Sequence, residues 1–294
     1  MVERNKTFQI VANGVMILLC AFCILPLWLL VASSITGERE LIVNGYSFIP
    51  SSIDFSAYKY ILVDSVQLLR GYGLSAVVTV IGTFANLTMT TLFAYPLMRK
   101  DLPGRKLISF FLFFTMLFNG GLVPSYIMWT QVFHVKNTLW ALIVPNLLMG
   151  AFNVIMMRTY LTSNIPGEVI DAARIDGAGE FKILLRVVLP MSKSILSTLA
   201  LLVGLGYWND WLNGLYYINK DTLYSTQVLL NKMLLDTQFL MSSASQGLNI
   251  DASQLPSTGI KMAIAVMGIL PILIVYPFLQ KYLVKGITIG AVKG

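Results

Sequence analysis

Hydrophobic residues in this chain fall into long unbroken runs, not the one-sided stripes of soluble helices. The first run covers about residues 8–35. It follows Arg4 and Lys6 and is too long for a signal-peptide core, so it reads as an uncleaved span. Five more runs lie at about 72–98, 107–129, 138–157, 194–217 and 262–280. Each is long enough to cross the roughly 30 Å hydrocarbon core as a helix. The pattern predicts an all-α membrane protein: a single transmembrane domain over 1–294, with six transmembrane helices and both termini on one side.

The polar segments between the runs set the orientation. With the N-terminus in the cytoplasm, fourteen of the 21 lysines and arginines fall inside and seven outside. That bias is the one positive charge imposes on membrane topology. Its clearest element is the run from Arg99 to Lys106, with Arg105 between. The same orientation makes 158–193 a cytoplasmic loop and leaves 37–71 and 218–261 outside. Both outer segments are long enough to be functional or partly structured. In the second, Leu229, Leu230, Met233, Leu234 and Leu240 recur at helical spacing. Such a helix suits either a soluble binding protein or the protein's own outer rim, since amphipathicity fits both. Residues 242–258 are rich in Ser, Gln, Asn and Gly and read as an irregular loop.

Composition agrees with a membrane protein. Apolar residues make up 56% and charged residues 12%, about half the usual share for a soluble domain, and mean hydropathy is +0.73. The net charge of +7 does not point to nucleic acid, because the basic residues gather at span ends and not along one solvated face. Cys20 and Cys23 form a C-x-x-C pair inside the first run, read as two thiols in lipid before a redox pair. With one histidine in the chain, no four-ligand zinc site of the usual kind can be assembled, and no metal is expected. No catalytic constellation and no phosphate-binding G-x-x-x-x-G-K-[ST] loop occur, so the chain is not expected to be an enzyme. His134 stands alone beside Lys136 in an outside loop and reads as solvated or capping.

Residues 164–193 are a charged, helix-competent island in this apolar chain. Charge is costly in hydrocarbon, so the island belongs in water or against a soluble partner. Pro166 suits a first helical turn, with Ser163 and Asn164 available as caps. Glu168 and Asp171 suit the positive end of that helix. Gly177 and Gly179 interrupt it, and Pro190 is expected to end the next one.

The spacing of this island resembles a known pattern. Asp171-Ala172-Ala173, then Gly177, then Val187 and Leu189-Pro190 resemble the EAA loop of bacterial ABC importer permeases. The one departure is Asp171 where Glu is usual, which preserves charge. The segment from Ile165 to Glu168, the segment from Asp176 to Ala178, and Trp208-Asn209-Asp210-Trp211 resemble the carbohydrate-uptake branch; Asn119-Gly120-Gly121-Leu122-Val123-Pro124 resembles permeases for complex oligosaccharides. The resemblance implies a type I importer permease fold in the bacterial cytoplasmic membrane, embedded in membrane lipid. It also implies a second homologous permease subunit, two ATP-binding cassette ATPase subunits and an extracytoplasmic solute-binding protein. The chain itself would bind no cofactor; ATP and Mg would sit on the partner ATPase. Glu168, Asp171, Ala172, Ala173, Asp176, Gly177, Leu189 and Pro190 would then form the coupling site, with Val169 and Ile175 adding aliphatic contact area.

Two clusters are candidates for the substrate pathway. Asn119, Gly120, Gly121 and Pro124 break the third run, and freed backbone groups there need neighbours or a water-filled cavity. That break reads as a gate or as a tolerated kink. Tyr207, Trp208, Asn209, Asp210 and Trp211 combine aromatic faces for sugar rings with polar groups for hydroxyls, although Trp and Tyr also enrich at every membrane interface. Asp210 should face the bundle, a cavity or a partner, since a carboxylate in mid-membrane costs about 2.5–3.5 kcal/mol. Asn86, Thr88, Thr90 and Thr91 could line the same path or bond across helices. The reading that follows is an importer permease for a carbohydrate, an oligosaccharide first. A permease of the same architecture for a non-sugar solute is the alternative, and an ion-coupled secondary transporter is a more distant one.

Overall fold

The computed structural model describes residues 6–63, 65–245 and 257–291. It is helical, and among the described residues the one strand-like feature is an isolated antiparallel bridge between Thr36 and Ile53. The chain divides into two compact units, Met1–Leu68 with Leu230–Pro271, and Leu69–Leu229 with Ile272–Gly294.

In the first unit, α1 (Lys6–Ser34) is one apolar helix carrying Pro26 in its interior. Two short helices follow, α2 (Glu38–Asn44) and α3 (Ser56–Leu62), within the segment 37–71. The carboxylate of Glu38 accepts bonds from the backbone N–H groups of Thr258 and Gly259, each 2.9 Å. Those are orphan donors at the start of the last helix, and an acid there also suits the helix dipole.

The second unit carries most of the bundle. Its elements are α4 (Ser65–Met98) from Leu69 on, α5 (Arg105–Leu117), α6 (Leu122–Ile127), α7 (Trp140–Ile143), α8 (Ala151–Asn164), α9 (Gly167–Ile175), α10 (Glu180–Ile183), α11 (Leu189–Met191), α12 (Lys193–Trp208) and α13 (Leu212–Tyr217); most of α14 (Thr226–Ser245) and the first part of α15 (Ser257–Ala291) belong to the first unit. One core gathers Tyr95, Met157, Leu161, Ile170, Ile183 and Leu199 around the island. Another gathers Val78, Ile143, Val203, Tyr207, Tyr217 and Val228.

Three stretches are long and apolar enough to cross a membrane unbroken: Phe8–Ser34, Val66–Met98 and Thr258–Pro277. The other three expected spans are not single helices. The run at 107–129 bends by 113° between Arg105–Leu117 and Leu122–Val132. The run at 138–157 contains only the short α7, an irregular stretch with Asn146 at φ 61°, and the start of α8. The run at 194–217 divides at Asn209–Trp211 into α12 and α13. Pro145 and Gly150 explain the second interruption, since proline lacks a donor and glycine weakens a helix.

Breaking a helix frees carbonyls that lipid cannot satisfy. At the second interruption long-range side chains satisfy three of them. The Tyr207 hydroxyl donates to the carbonyl of Ile143 at 2.9 Å, Asn213 Nδ2 to Pro145 at 2.9 Å, and Asn86 Nδ2 to Leu147 at 2.6 Å. Thr90 Oγ1 donates to Asn86 Oδ1 at 3.1 Å, which holds that amide in place. Asn86 therefore bonds out to the irregular stretch before α8, whereas Thr90 bonds to Asn86 and Thr88 to Phe84 within their own helix.

The leucine-rich stretch beginning at Leu229 lies in α14. Leu229 and Leu230 are buried, whereas Leu235 and Phe239 face outward. Of the loop expected at 242–258, residues 242–245 instead end α14 and 257–258 begin α15, a correction at both margins; residues 246–256, Arg4, Lys293 and the side chains of Leu240, Lys281 and Lys285 lie outside the described residues.

Candidate functional site

The island becomes a helix held at both ends. Upstream, α8 ends at Asn164, whose Nδ2 donates to the carbonyl of Tyr160 at 3.0 Å. Ser163 and Asn164 thus belong to α8 and do not cap α9, a correction to the expected caps. Pro166 takes the cap position, with φ −62° and no side-chain bond. Glu168 lies in the first turn of α9 and Arg174 in the last, both matched to the helix dipole.

Downstream, α9 stops in a double hydrogen-bonded turn. The N–H of Ala178 bonds the carbonyl of Ala173 at 3.0 Å, and that of Gly177 bonds Arg174 at 2.9 Å. This is the Schellman arrangement, and it places Gly177 at φ 73°. A Cβ added at Gly177 would meet nothing within 4 Å, so backbone conformation and not space selects glycine there.

The faces of α9 differ. Ile170 is buried and Ala173 packs on the same core, so Ala173 helps seat the helix on its own chain. Glu168, Asp171, Ala172, Asp176 and Gly177 face outward. Ile175 is 87% exposed and Phe181, just after the turn, 74%. The outward side of α9 and the turn after it thus combines an apolar tip with an acidic edge.

Leu189 and Pro190 lie beyond a second short helix. Ile183, Leu184 and Val188 are buried there, Leu189 is half-buried and Pro190 exposed. The backbone widens over Leu184–Val188 before the proline, and the chain turns by 82° between Glu180–Met191 and Lys193–Trp208. A wide turn and a proline are recognised sources of such bends. Pro190 itself sits within helical geometry, and the change of direction comes after it, at Ser192.

One residue that the sequence reading passed over ties these pieces together. Glu180 Oε1 accepts from Arg99 at 2.8 Å and from Arg174 at 3.1 Å, and Oε2 accepts from the Tyr95 hydroxyl at 2.6 Å. Arg99 also pairs with Asp101, and Arg174 with Asp171 at 3.2 Å. Glu180 therefore joins α9 and α10 to the end of α4. The Tyr95 bond, with Arg99 and Arg174, holds the Glu180 carboxyl below the usual range against the opposing effect of burial. Asp101 is pulled to about 2, chiefly by its bond to Arg99. Beside this network lies a cavity of about 190 Å³, lined by Leu92, Pro96, Leu102, Phe181 and Leu184 together with the polar trio. Arg99 was readable only as a topology signal, and its 81-residue separation from Glu180 hid the pairing.

The two pathway clusters divide differently. Asn119 Oδ1 accepts from the N–H of Gly121 at 2.8 Å, closing a local turn, and Asn119, Gly120 and Gly121 are all exposed. Gly121 has φ 89°. Tyr207 is buried, with its hydroxyl committed to Ile143 and its ring against Gly82, where a Cβ would fall 2.5 Å away. That is a structural use of the side chain. Trp208 stacks on Tyr72 with centroids 6.2 Å apart. Asp210 accepts from the Asn213 N–H at 3.3 Å and so caps α13. Asn209 and Trp211 face outward. Among the described residues, no group of three or more His, Cys, Asp or Glu is placed to hold a metal.

Comparison with known proteins agrees with the arrangement. The family described as binding-protein-dependent transport system inner membrane component matches residues 3–289. The chain is 33% identical over 297 residues to the polygalacturonan/rhamnogalacturonan transport system permease protein YtcP of Bacillus subtilis, covering 99% of this chain and 100% of that one. It is 36% identical to protein LplC of the same organism, covering 93% and 90%. It also resembles a chain from the crystal structure of a bacterial ABC transporter involved in the import of the acidic polysaccharide alginate. The TM-score is 0.77 at 29% identity, covering 96% of this chain and 99% of that one. This chain belongs to the binding-protein-dependent transport system inner membrane component family, and it is a multi-pass protein of the bacterial plasma membrane.

Proposed function

We propose that this chain is the permease subunit of an ATP-driven importer for an oligosaccharide, and that α9 is where it takes its driving force. The observation that carries the coupling role is the fastening of α9. Its apolar tip and acidic edge face outward, while Glu180 and the Gly177 turn fix it to α10 and to the end of α4. A helix fastened in this way moves as one body with the span it is tied to. The names of its relatives support a sugar cargo, since they concern polygalacturonan and rhamnogalacturonan, arabinooligosaccharides, and melibiose, raffinose and stachyose.

In this reading six membrane crossings, three of them bent, leave both termini in the cytoplasm. Two ATPase subunits carrying ATP and Mg dock under α9 and its counterpart on a second permease, and a binding protein delivers the sugar from outside. ATP closes the ATPase pair, the α9 helices approach, and the cavity opens outward. Hydrolysis resets it inward. The permease lowers the barrier to passage and does no covalent chemistry. Trp208, Asn209, Asp210, Trp211 and the Asn119–Gly121 break remain candidates for the pathway, with Tyr207 supporting them from behind.

A more specific reading is an acidic oligosaccharide, favoured by the alginate importer among the structural relatives. Affinity purification from the native membrane, followed by reconstitution, tests the whole proposal. An ATPase and a second permease should co-purify, and the complex should take up labelled oligosaccharide only with ATP and the binding protein. A chain that purifies alone and transports under an ion gradient would overturn it. Uptake of a neutral but not a uronic oligosaccharide would remove only the acidic reading.

A further inference from the structure

The outer loop between α1 and α3 is closed, keeps its charged residues Glu38, Arg39, Glu40 and Asp54 at its base, and is apolar toward its tip. Its base is pinned where Thr36 bridges Ile53 and the Asp54 N–H bonds the carbonyl of Ile35 at 2.9 Å. Inside, the Glu40 carboxylate accepts from the N–H groups of Ser51 and Ser52 at 2.9 and 2.8 Å and from the Ser52 hydroxyl at 2.6 Å. Leu41 is buried and anchors α2. Every residue from Leu41 to Ile53 is uncharged. Yet Val43 is 74% exposed and Ile49 78%, with Ile42, Tyr46 and Phe48 exposed beside them.

The level of this surface is fixed by α1. Trp28 Nε1 donates to the carbonyl of Phe48 at 2.9 Å. Trp28 lies six residues before the end of α1 at Ser34, which is about 9 Å of helix rise. The loop tip therefore folds back alongside the outer end of a membrane span and does not project into water. Tryptophan and tyrosine with one wet and one apolar end are the residues of the membrane interface.

We infer that the loop from Glu38 to Ile53 is a clasp that lies in the outer leaflet of the bilayer, with Ile42, Val43, Tyr46, Phe48 and Ile49 among the lipid headgroups and upper acyl chains. The inference rests on α1 being a span and not on the identity of the cargo. Lipid is the occupant because the apolar surface is continuous with the exposed apolar length of α1 and carries no charge to select a protein partner. An amphipathic segment of this kind binds a membrane through its apolar area.

The test uses the reconstituted transporter with Cys20 and Cys23 replaced by serine and an environment-sensitive fluorophore on Ile49→Cys. Lipids with a nitroxide near the headgroup should quench it several-fold more than lipids labelled near the chain end. Aqueous iodide should quench it several-fold less than the same label on Asp221→Cys. Trp28→Phe keeps the span apolar but removes the donor, so it should raise iodide quenching at position 49. Iodide quenching equal to the Asp221→Cys control would overturn the inference. So would protection that appears only on adding the binding protein, or a Trp28→Phe variant with an unchanged profile. ATPase activity stimulated by sugar, measured on the same samples, reports separately on the importer reading.

Discussion

Replacing Glu180 by glutamine tests whether α9, the proposed coupling helix, depends on its ties to Arg99, Arg174 and Tyr95. The side chain is nearly isosteric, so packing stays and only charge leaves. Two ion pairs go, to Arg99 and to Arg174. The Glu180 side chain is 45% exposed, and its partners are 27% and 36% exposed. Each pair is therefore worth only about 0.2–1 kcal/mol after solvent screening. The Tyr95 hydroxyl keeps an acceptor but loses a charged one, a difference of about 1 kcal/mol. The sum is about 2 kcal/mol, or a ~30-fold rise in conformations with α9 unfastened from α4. Arg99 keeps Asp101 and Arg174 keeps Asp171, so the loop should unfasten without unfolding. In proteoliposomes with the binding protein, stimulation of ATPase by sugar should fall several-fold while basal hydrolysis persists. Amides of 167–178 should exchange hydrogen faster by a similar ~30-fold factor. The exposed neighbour Lys182→Gln should change neither. Wild-type stimulation and wild-type exchange in Glu180→Gln would refute the fastening argument.

Gly177→Ala should lower coupling through about 1–2 kcal/mol of left-handed backbone strain, whereas Gly177→Asn, which tolerates that conformation, should keep more of it; equal loss in both, read by sugar-stimulated ATPase, would point to lost space at the partner instead. Asn86→Leu leaves the Leu147 carbonyl unpaired and should cost about 1–3 kcal/mol, visible as a lower Tm of the purified complex. Thr88→Val, which loses only a bond within its own helix, should stay within about 0.5 kcal/mol. Glu40 is held at about 2, mainly by the Ser52 hydroxyl and the Ser51 N–H. A folded value below the unfolded one gives stabilisation that is complete above about pH 4.5 and is lost as pH falls toward about 2. Quenching of a label at position 49 should therefore stay flat from pH 7 to about 4.5 and change only below it.

The sequence by itself determined what depends on local order. Apolar runs located the membrane segments because burial in lipid needs length and hydropathy, both readable in a window. The residues from Asp171 through Gly177 located α9 and its closing turn, because a left-handed glycine acts on its own neighbours. The orientation of α9 was only half legible. Val169, Ala172 and Ile175 are outward, but Ala173 packs inward, and no spacing rule separates adjacent alanines without the core they meet. Tertiary structure alone decided the rest. The run at 138–157 reads as a continuous helix but is broken, and the carbonyls its break frees at Ile143, Pro145 and Leu147 are met by Tyr207, Asn213 and Asn86 from 64, 68 and 61 residues away. Tyr207 thereby becomes a support where the sequence suggested a sugar contact. Glu180 reads as one more surface charge until the fold brings Tyr95 and Arg99 to it from 85 and 81 residues away. Hydrogen bonds from distant side chains leave no periodicity in a sequence, and they are what hold the 143–147 break and α9 in place.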